Sequence, residues 1–200
     1  MSALATAPRG YSVVLPPGWT KVPLRGGTEA AIAGILERTF AGHSRDSLVT
    51  ERHALRTRLR DLASAAALNN GVDLYVPTER MHGLTVAASF VVAEFSFGSM
   101  ENPDPGLVVA RIVARGAAAH TVSLADTTAA RSETFAPPDP ARDVPFGSRR
   151  VDYVLPVPSD ADRWLVVTFS TIGQGDPQDD FAALLVELFD AIMTTFRWTT

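Results

Sequence analysis

The chain has 200 residues, of which 46% are hydrophobic and 20% are charged, a composition typical of one globular domain rather than a disordered or fibrous protein. It contains no cysteine, which excludes disulfides, thiolate nucleophiles and cysteine-ligated metal centres. A formal net charge of −4 argues against nucleic-acid binding by a basic surface, and no apolar run approaches the roughly 18 residues of a membrane span. Residues 1–9 lack a signal peptide pattern, so we expect one cytoplasmic domain over 1–200 without metal or other cofactors.

The first elements in chain order are short strands followed by helices. Strand patterns cover 11–15 and 20–24, and helical patterns cover 28–40 and 45–68. Pro23 places the second strand at a sheet edge, and Thr28 is the expected N-cap of the first helix. Residues 1–10 are expected to be flexible.

From residue 72 the pattern changes to that of β-strands. The predicted strands are 72–76, 84–97, 107–115, 120–125, 129–135, 149–157 and 163–171. Alternation is cleanest in 107–115, where alternate residues from Val108 to Ala114 are apolar. Residues 102–106 are expected to be a hairpin connection, and the last two strands to pair as antiparallel neighbours. Four prolines predict an extended loop at 136–147.

The last helix has the strongest signal. Asp176 is the predicted N-cap, with Pro177 at the first helical position. The apolar residues that follow at helical spacing are Phe181, Leu184, Leu185, Leu188, Phe189, Ile192 and Phe196. Helices first, strands in the middle and a closing helix predict an α+β fold, in which an antiparallel β-sheet is flanked by helices.

The sequence contains no recognisable catalytic or metal-binding constellation. His43, His53, His82 and His120 lack the spacing of metal ligands, and no Gly-x-Ser-x-Gly motif is present. The glycine-containing segments 26–28 and 173–176 are interpreted as ordinary turns before helices rather than as anion-binding loops. We therefore expect no catalytic, cofactor-binding or metal-binding residues.

Three arginines, Arg52, Arg56 and Arg60, share one side of the second helix because they are spaced four residues apart. We call this set the arginine face. A solvated helix surface is the favoured interpretation, and binding of phosphate or an acidic protein partner is the functional alternative. Residues 152–190 carry eight acids and one arginine, so an internal or dimeric ion-pair partner is a third possibility.

Two parts of the chain resemble Mog1/PsbP-like domains. Leu-Pro-Pro-Gly-Trp at 15–19 and Val-Pro-Leu at 22–24 are similar to the opening strand pair of that family. The segments 151–158, 165–171, 188–192 and 196–198 are similar to its closing strands and helix. Actinobacterial proteins of about this length also resemble the chain in the arginine-rich helix and in Gly-Val-Asp-Leu-Tyr at 71–75. The resemblance implies an α/β/α sandwich that acts as an accessory, assembly or chaperone-like binder with no enzymatic activity of its own.

Together these observations predict a non-enzymatic protein-binding module, an adaptor or chaperone for a secretion or assembly system, with a homodimer as one arrangement. The alternative is a small-molecule-binding or hydrolytic domain whose site is assembled from scattered residues. A self-associating structural subunit is the third hypothesis. A polar-lined pocket would favour the alternative, and an open apolar groove would favour protein binding.

Overall fold

The computed structural model describes residues 7–42, 48–81, 83–96, 104–116, 118–139, 141 and 144–200. Within these ranges, seven strands form one sheet, which we call the large sheet, and two strands form a second, the small sheet. The helices are α1 (Thr28–Thr39), α2 (Val49–Leu68), α3 (Pro105–Arg115) and α4 (Asp180–Thr194). The strands are β1 (Gly10–Ser12), β2 (Trp19–Pro23), β3 (Gly71–Pro77), β4 (Ala88–Ser96), β5 (Ala119–Leu124), β6 (Thr127–Ala136), β7 (Ser148–Val157), β8 (Asp160–Thr171) and β9 (Arg197–Thr199).

Helices cover both faces of the large sheet. The strand order is β2-β3-β4-β8-β7-β6-β5, and neighbouring strands are antiparallel throughout. Because side chains alternate along a strand, Tyr75 joins a core with α4, whereas Leu74 joins a core with α1 and α2. On the same face as α1 and α2, Val109 of α3 packs with Trp164. The chain therefore has the expected α+β fold, an antiparallel sheet flanked by helices.

Aromatic rings build the core between α4 and the large sheet. Phe189 of α4 stacks on Phe169 of β8 with ring centroids 4.8 Å apart, and it contacts Phe90 of β4 at 5.5 Å. Tyr75 of β3 stacks on Phe90 at 4.2 Å. The Phe189 ring thus contacts both β4 and β8, which are neighbouring strands at the centre of the large sheet.

The small sheet lies on the α4 side and pairs segments that are far apart in sequence. β1 and β9 are antiparallel, with Tyr11 opposite Trp198. Phe196 is fully buried, stacks on Tyr11 at 5.5 Å and meets Trp198 edge-on at 5.0 Å. The small sheet is therefore attached to the aromatic core through Phe196.

The predicted strand at 107–115 is wrong, because these residues belong to α3. The Asp104 side chain accepts a hydrogen bond from the Leu107 N–H at 3.1 Å, and Pro105 lies in the first turn. The predicted hairpin connection is also wrong over 104–106, while 102–103 lie outside the described residues. The helix is favoured because the capping residues start it and because Val109 and Ile112 lie on the side that packs against the sheet.

Two predicted N-caps are wrong: the cap of α1 lies one residue before the predicted position, and the cap of α4 lies three residues after it. Gly27, with φ 80, caps α1, and the Thr28 hydroxyl instead donates to the Pro23 carbonyl oxygen at 2.6 Å. Asp179 caps α4, whereas Asp176 accepts from the Gln178 N–H in the preceding turn. Both side chains bond to backbone groups outside the helix, which short polar side chains do readily.

The structure also refines three predicted boundaries. Gly10 begins β1, and residues 1–6 of the segment expected to be flexible lie outside the described residues. β6 extends through Ala136, the first residue of the predicted loop. Residues 45–47 of the predicted second helix also lie outside the described ranges. No described helix is both long and apolar enough to cross a membrane.

Truncation of Phe189 should destabilise the protein strongly. Phe189→Ala is expected to lower the free energy of unfolding by about 3–5 kcal/mol, because the ring is buried among other rings. Leu184 is predicted to belong to the apolar stripe of α4, but its side chain lies outside the buried side of the helix and is 59% exposed. Leu184→Ala is the matched control and should change stability by about 0.5 kcal/mol or less in urea unfolding. Equal losses for the two variants would contradict this packing.

Candidate functional site

A cleft of about 390 Å³ lies between the small sheet and one end of the large sheet. Tyr11 and Trp198 contribute to it from the small sheet. The large sheet contributes Lys21 from β2, Asp73 from β3, Glu94 from β4 and Arg163 from β8. We call it the inter-sheet cleft. Its volume falls in the range of about 300–1,000 Å³ that is usual for small-ligand pockets.

Strand alternation and register bring the polar groups of this cleft together. Asp73 and Tyr75 are two residues apart on β3 and therefore project from the same face of the large sheet. The pairing of β2 with β3 places Lys21 opposite Tyr75. Tyr11 reaches the same place from β1, because Phe196 holds the small sheet against this face.

A buried carboxylate is the centre of this polar group. Asp73 is 4% exposed, and its Oδ2 accepts a hydrogen bond from the Tyr11 hydroxyl at 2.5 Å. The same oxygen lies 2.8 Å from Lys21 Nζ, and the Tyr75 hydroxyl lies 2.9 Å from that of Tyr11. A buried carboxylate requires such partners, because its desolvation is costly unless its charge is compensated. We call Tyr11, Lys21, Asp73 and Tyr75 the tyrosine–aspartate cluster.

Glu94 organises a second charged group in the cleft. Its Oε2 lies 2.5 Å from Arg25 Nη1, and its Oε1 lies 2.7 Å from Arg163 Nη2. Arg163 also lies 3.7 Å from Asp160. Burial alone would raise the pKa of Glu94, but the hydrogen bonds from the two arginines outweigh it and hold the pKa below its ordinary value. Glu94 is therefore ionised near neutral pH and shared between two cations.

The hydroxyls of Tyr11, which lines the cleft, and of Tyr75, which is buried beside it, are donors rather than nucleophiles. Burial, reinforced by Tyr75 and Asp73, raises the pKa of Tyr11 above the ordinary range for tyrosine. Burial also raises the pKa of Tyr75 to about 12. Both phenols are thus protonated near neutral pH. Among the described residues, no group of three histidine, aspartate or glutamate side chains is placed to hold a metal ion. The cleft offers ion pairing, hydrogen-bond donors and aromatic surface.

A separate ionic network links α4 to β6 and β7. Arg131 is buried and donates to both carboxylate oxygens of Asp190 at 3.0 and 2.8 Å. The Tyr153 hydroxyl donates to Asp190 at 2.8 Å, and Glu133 lies between Arg131 and Arg149 at 3.1 and 2.6 Å. Each carboxylate in this network is paired with an arginine, so we interpret the network as stabilising the packing of α4 against β6 and β7.

The arginine face lies beside α1, on the opposite side of the large sheet from the cleft. Arg60 makes two hydrogen bonds of 2.7 Å to Glu29, and these hydrogen bonds lower the pKa of Glu29. The guanidinium of Arg52 lies 5.3 Å from the ring centroid of Phe40, and Arg56 is exposed. The structure therefore connects Arg60 to α1 and brings no residue of the arginine face into the inter-sheet cleft.

The described histidines lie away from the inter-sheet cleft, whereas of the glycine-containing segments, 26–28 borders it through Gly26. His53 is exposed on α2 and His120 is exposed on β5, while His43 and His82 lie outside the described residues. In the turn at 173–176, the carboxylate of Asp179 accepts a hydrogen bond from the Gln174 N–H at 2.8 Å. This turn therefore presents its amide to a carboxylate of the chain itself.

Sequence reasoning missed the residues of the cleft. Lys21 is the single lysine of the chain, and Asp73 interrupts an apolar strand, so both were visible as isolated anomalies. Nothing in the local pattern connects them to Tyr11 or Trp198. No protein-family model and no curated protein matches the chain.

All three tyrosines of the chain should resist ionisation in the native state. Burial raises the pKa of Tyr75 to about 12 and those of Tyr11 and Tyr153 further above their ordinary value. Unfolded tyrosines ionise at about pH 10, so the unfolded chain loses protons first as the pH rises. The stability that this contributes is complete below about pH 10 and declines as the pH rises above it.

Phenolate absorbance measures this difference directly. The native chain should show little phenolate at about pH 10.5, whereas the urea-unfolded chain should be largely ionised there. Tyr75→Phe should remove the first native ionisation step, near pH 12. A native midpoint close to that of the unfolded chain would contradict the buried cluster.

Proposed function

We propose that the protein is a non-enzymatic binding module that holds a small molecule in the inter-sheet cleft. The observation that carries this proposal is the combination, in one cleft, of aromatic surface with paired charged groups. A ligand pocket commonly has mainly apolar walls and a few polar groups that orient the ligand. This function corresponds to the small-molecule-binding alternative predicted from the sequence, with no hydrolytic activity.

The chemistry of the cleft supports binding over catalysis. The Tyr11 and Tyr75 phenols have raised pKa values, so neither is suited to act as a base or nucleophile near neutral pH. Lys21 is held by the Asp73 carboxylate as an ion pair. Such groups donate hydrogen bonds and present charge, which is what a binding site requires.

The single lysine gives a direct test of occupancy. The neutral apolar probe N-phenyl-1-naphthylamine should bind with increased fluorescence and slow the acetylation of Lys21 by N-hydroxysuccinimide acetate, because Lys21 lines the cleft. Arg111→Lys adds a reference lysine at an exposed position of α3, and its acetylation should be unaffected by the probe. Peptide mass spectrometry measures both rates in one sample.

Two results would overturn this function. Probe binding without protection of Lys21, or with equal protection of the reference lysine, would place the probe elsewhere. Chemical conversion of a cleft-bound compound, detected by a change in its mass after release, would contradict a non-enzymatic role. Recovery of bound compounds unchanged supports the proposal.

A protein partner at the arginine face is the second candidate function. It is favoured by a groove beside Arg52 and Arg56 in which Val49 is 60% exposed, so that cations and apolar surface lie together. This version corresponds to an accessory protein of the cytoplasm, an adaptor or chaperone for a secretion or assembly system, as the resemblance to Mog1/PsbP-like domains implies. The two surfaces are on opposite sides of the large sheet and can be tested separately.

Replacing Arg52, Arg56 and Arg60 with Gln tests the second candidate. The variant should remain folded with little change in stability, because these charges are largely exposed and solvent screens the surface ion pair of Arg60. If the face binds acidic proteins, calorimetry should show that poly-glutamate binds the native chain and not this variant. The control replaces Arg58, Arg111 and Arg115 with Gln and carries the same charge change. Equal poly-glutamate binding by both variants would contradict a specific acidic-partner site.

A further inference from the structure

Cationic side chains outnumber anionic ones around the inter-sheet cleft. Among its described lining residues, the cations are Arg9, Lys21, Arg25 and Arg163, and the anions are Asp73 and Glu94. Asp160 near Arg163 reduces this excess without removing it. Charges of one sign along a concave wall reinforce each other, because the low-dielectric protein around them focuses their field. The excess of cations therefore favours an anionic ligand.

Arg25 is the cation best placed to accept a new partner. It shares the carboxylate of Glu94 with Arg163, so one negative charge serves two guanidinium groups. Its side chain is 56% exposed, and a guanidinium has five N–H donors, of which one is assigned to Glu94. A carboxylate, sulfonate or phosphate group can bind such a guanidinium through charge-assisted hydrogen bonds.

The apolar part of the cleft completes the expected ligand. Val157, Leu165 and the rings of Tyr11 and Trp198 line the same space. These apolar and aromatic side chains form a wall that suits a flat apolar ligand body.

We propose that the ligand of the inter-sheet cleft is a small organic anion, with a flat apolar body against Trp198 and Leu165 and an acidic head group at Arg25. This inference rests on the proposed binding function and specifies the chemistry of its ligand. The tyrosine–aspartate cluster is then the fixed part of the site. Arg25 is the residue that selects charge.

A pair of probes that differ in one acidic group tests the inference. 8-Anilinonaphthalene-1-sulfonate is N-phenyl-1-naphthylamine with an added sulfonate, so the apolar body is the same. The sulfonate probe should bind about tenfold more tightly than the neutral one, the effect of one charge-assisted contact. Both should slow the acetylation of Lys21, which locates them in the cleft.

The substitution Arg25→Gln separates charge selection from folding. It leaves Glu94 paired with Arg163, so the fold should be retained. The variant should bind the sulfonate probe about tenfold more weakly and the neutral probe with unchanged affinity. Arg111→Gln is the matched control, because it removes an exposed arginine on the opposite side of the large sheet, and it should leave both affinities unchanged.

These experiments distinguish a failure of the anionic-ligand proposal from a failure of the binding function. Equal affinity of the native chain for both probes in the cleft, or equal weakening of both by Arg25→Gln, would overturn the anionic ligand and leave the binding function intact. Failure of both probes to protect Lys21 would overturn the binding function itself. Selective loss of sulfonate binding in Arg25→Gln supports both.

Discussion

The buried charge of Asp73 imposes a constraint on three separate strands. A carboxylate that is 4% exposed must be neutralised where it lies, and the available partners are Lys21 on β2 and Tyr11 on β1. Meeting this requirement fixes the small sheet over one end of the large sheet. The inter-sheet cleft exists because these two sheets are joined there by polar contacts and nearby by the stacking of Tyr11 on Phe196.

The face of the large sheet that packs against α4 has an apolar centre with charged groups on either side of it. Phe90, Phe169 and Phe189 occupy the centre beneath α4. Asp73 and Glu94 lie at one margin, and the network of Arg131 with Asp190 lies toward the other. The partners Lys21, Arg25 and Asp190 are partly exposed, and their access to water lowers the cost of these charged groups. This arrangement leaves a polar-lined cleft available without interrupting the aromatic core.

The two candidate surfaces differ in how fully their arginines are already paired with carboxylates. In the cleft, Arg25 and Arg163 share one glutamate, so a further anion can still gain favourable contacts. On the arginine face, Arg60 already makes two hydrogen bonds to Glu29 across α1 and α2. The cleft also has concave, partly apolar walls, which bury a small ligand more completely than a helix surface can. These differences favour the cleft over the arginine face as the proposed binding site.

The sequence by itself determined the α+β class, most of the strands and the edge position of β2, because alternation, helical spacing and Pro23 are local signals. It did not determine α3, because the apolar residues at 107–115 fit a strand by their alternation and a helix by the spacing of Val109, Ile112 and Val113. The Asp104 cap and the packing of Val109 near Trp164 decided between the two. Nor did the sequence determine the cleft. Tyr11, Asp73 and Trp198 come together through strand pairing across nearly the whole chain, and pairing between distant segments leaves no local pattern in either segment.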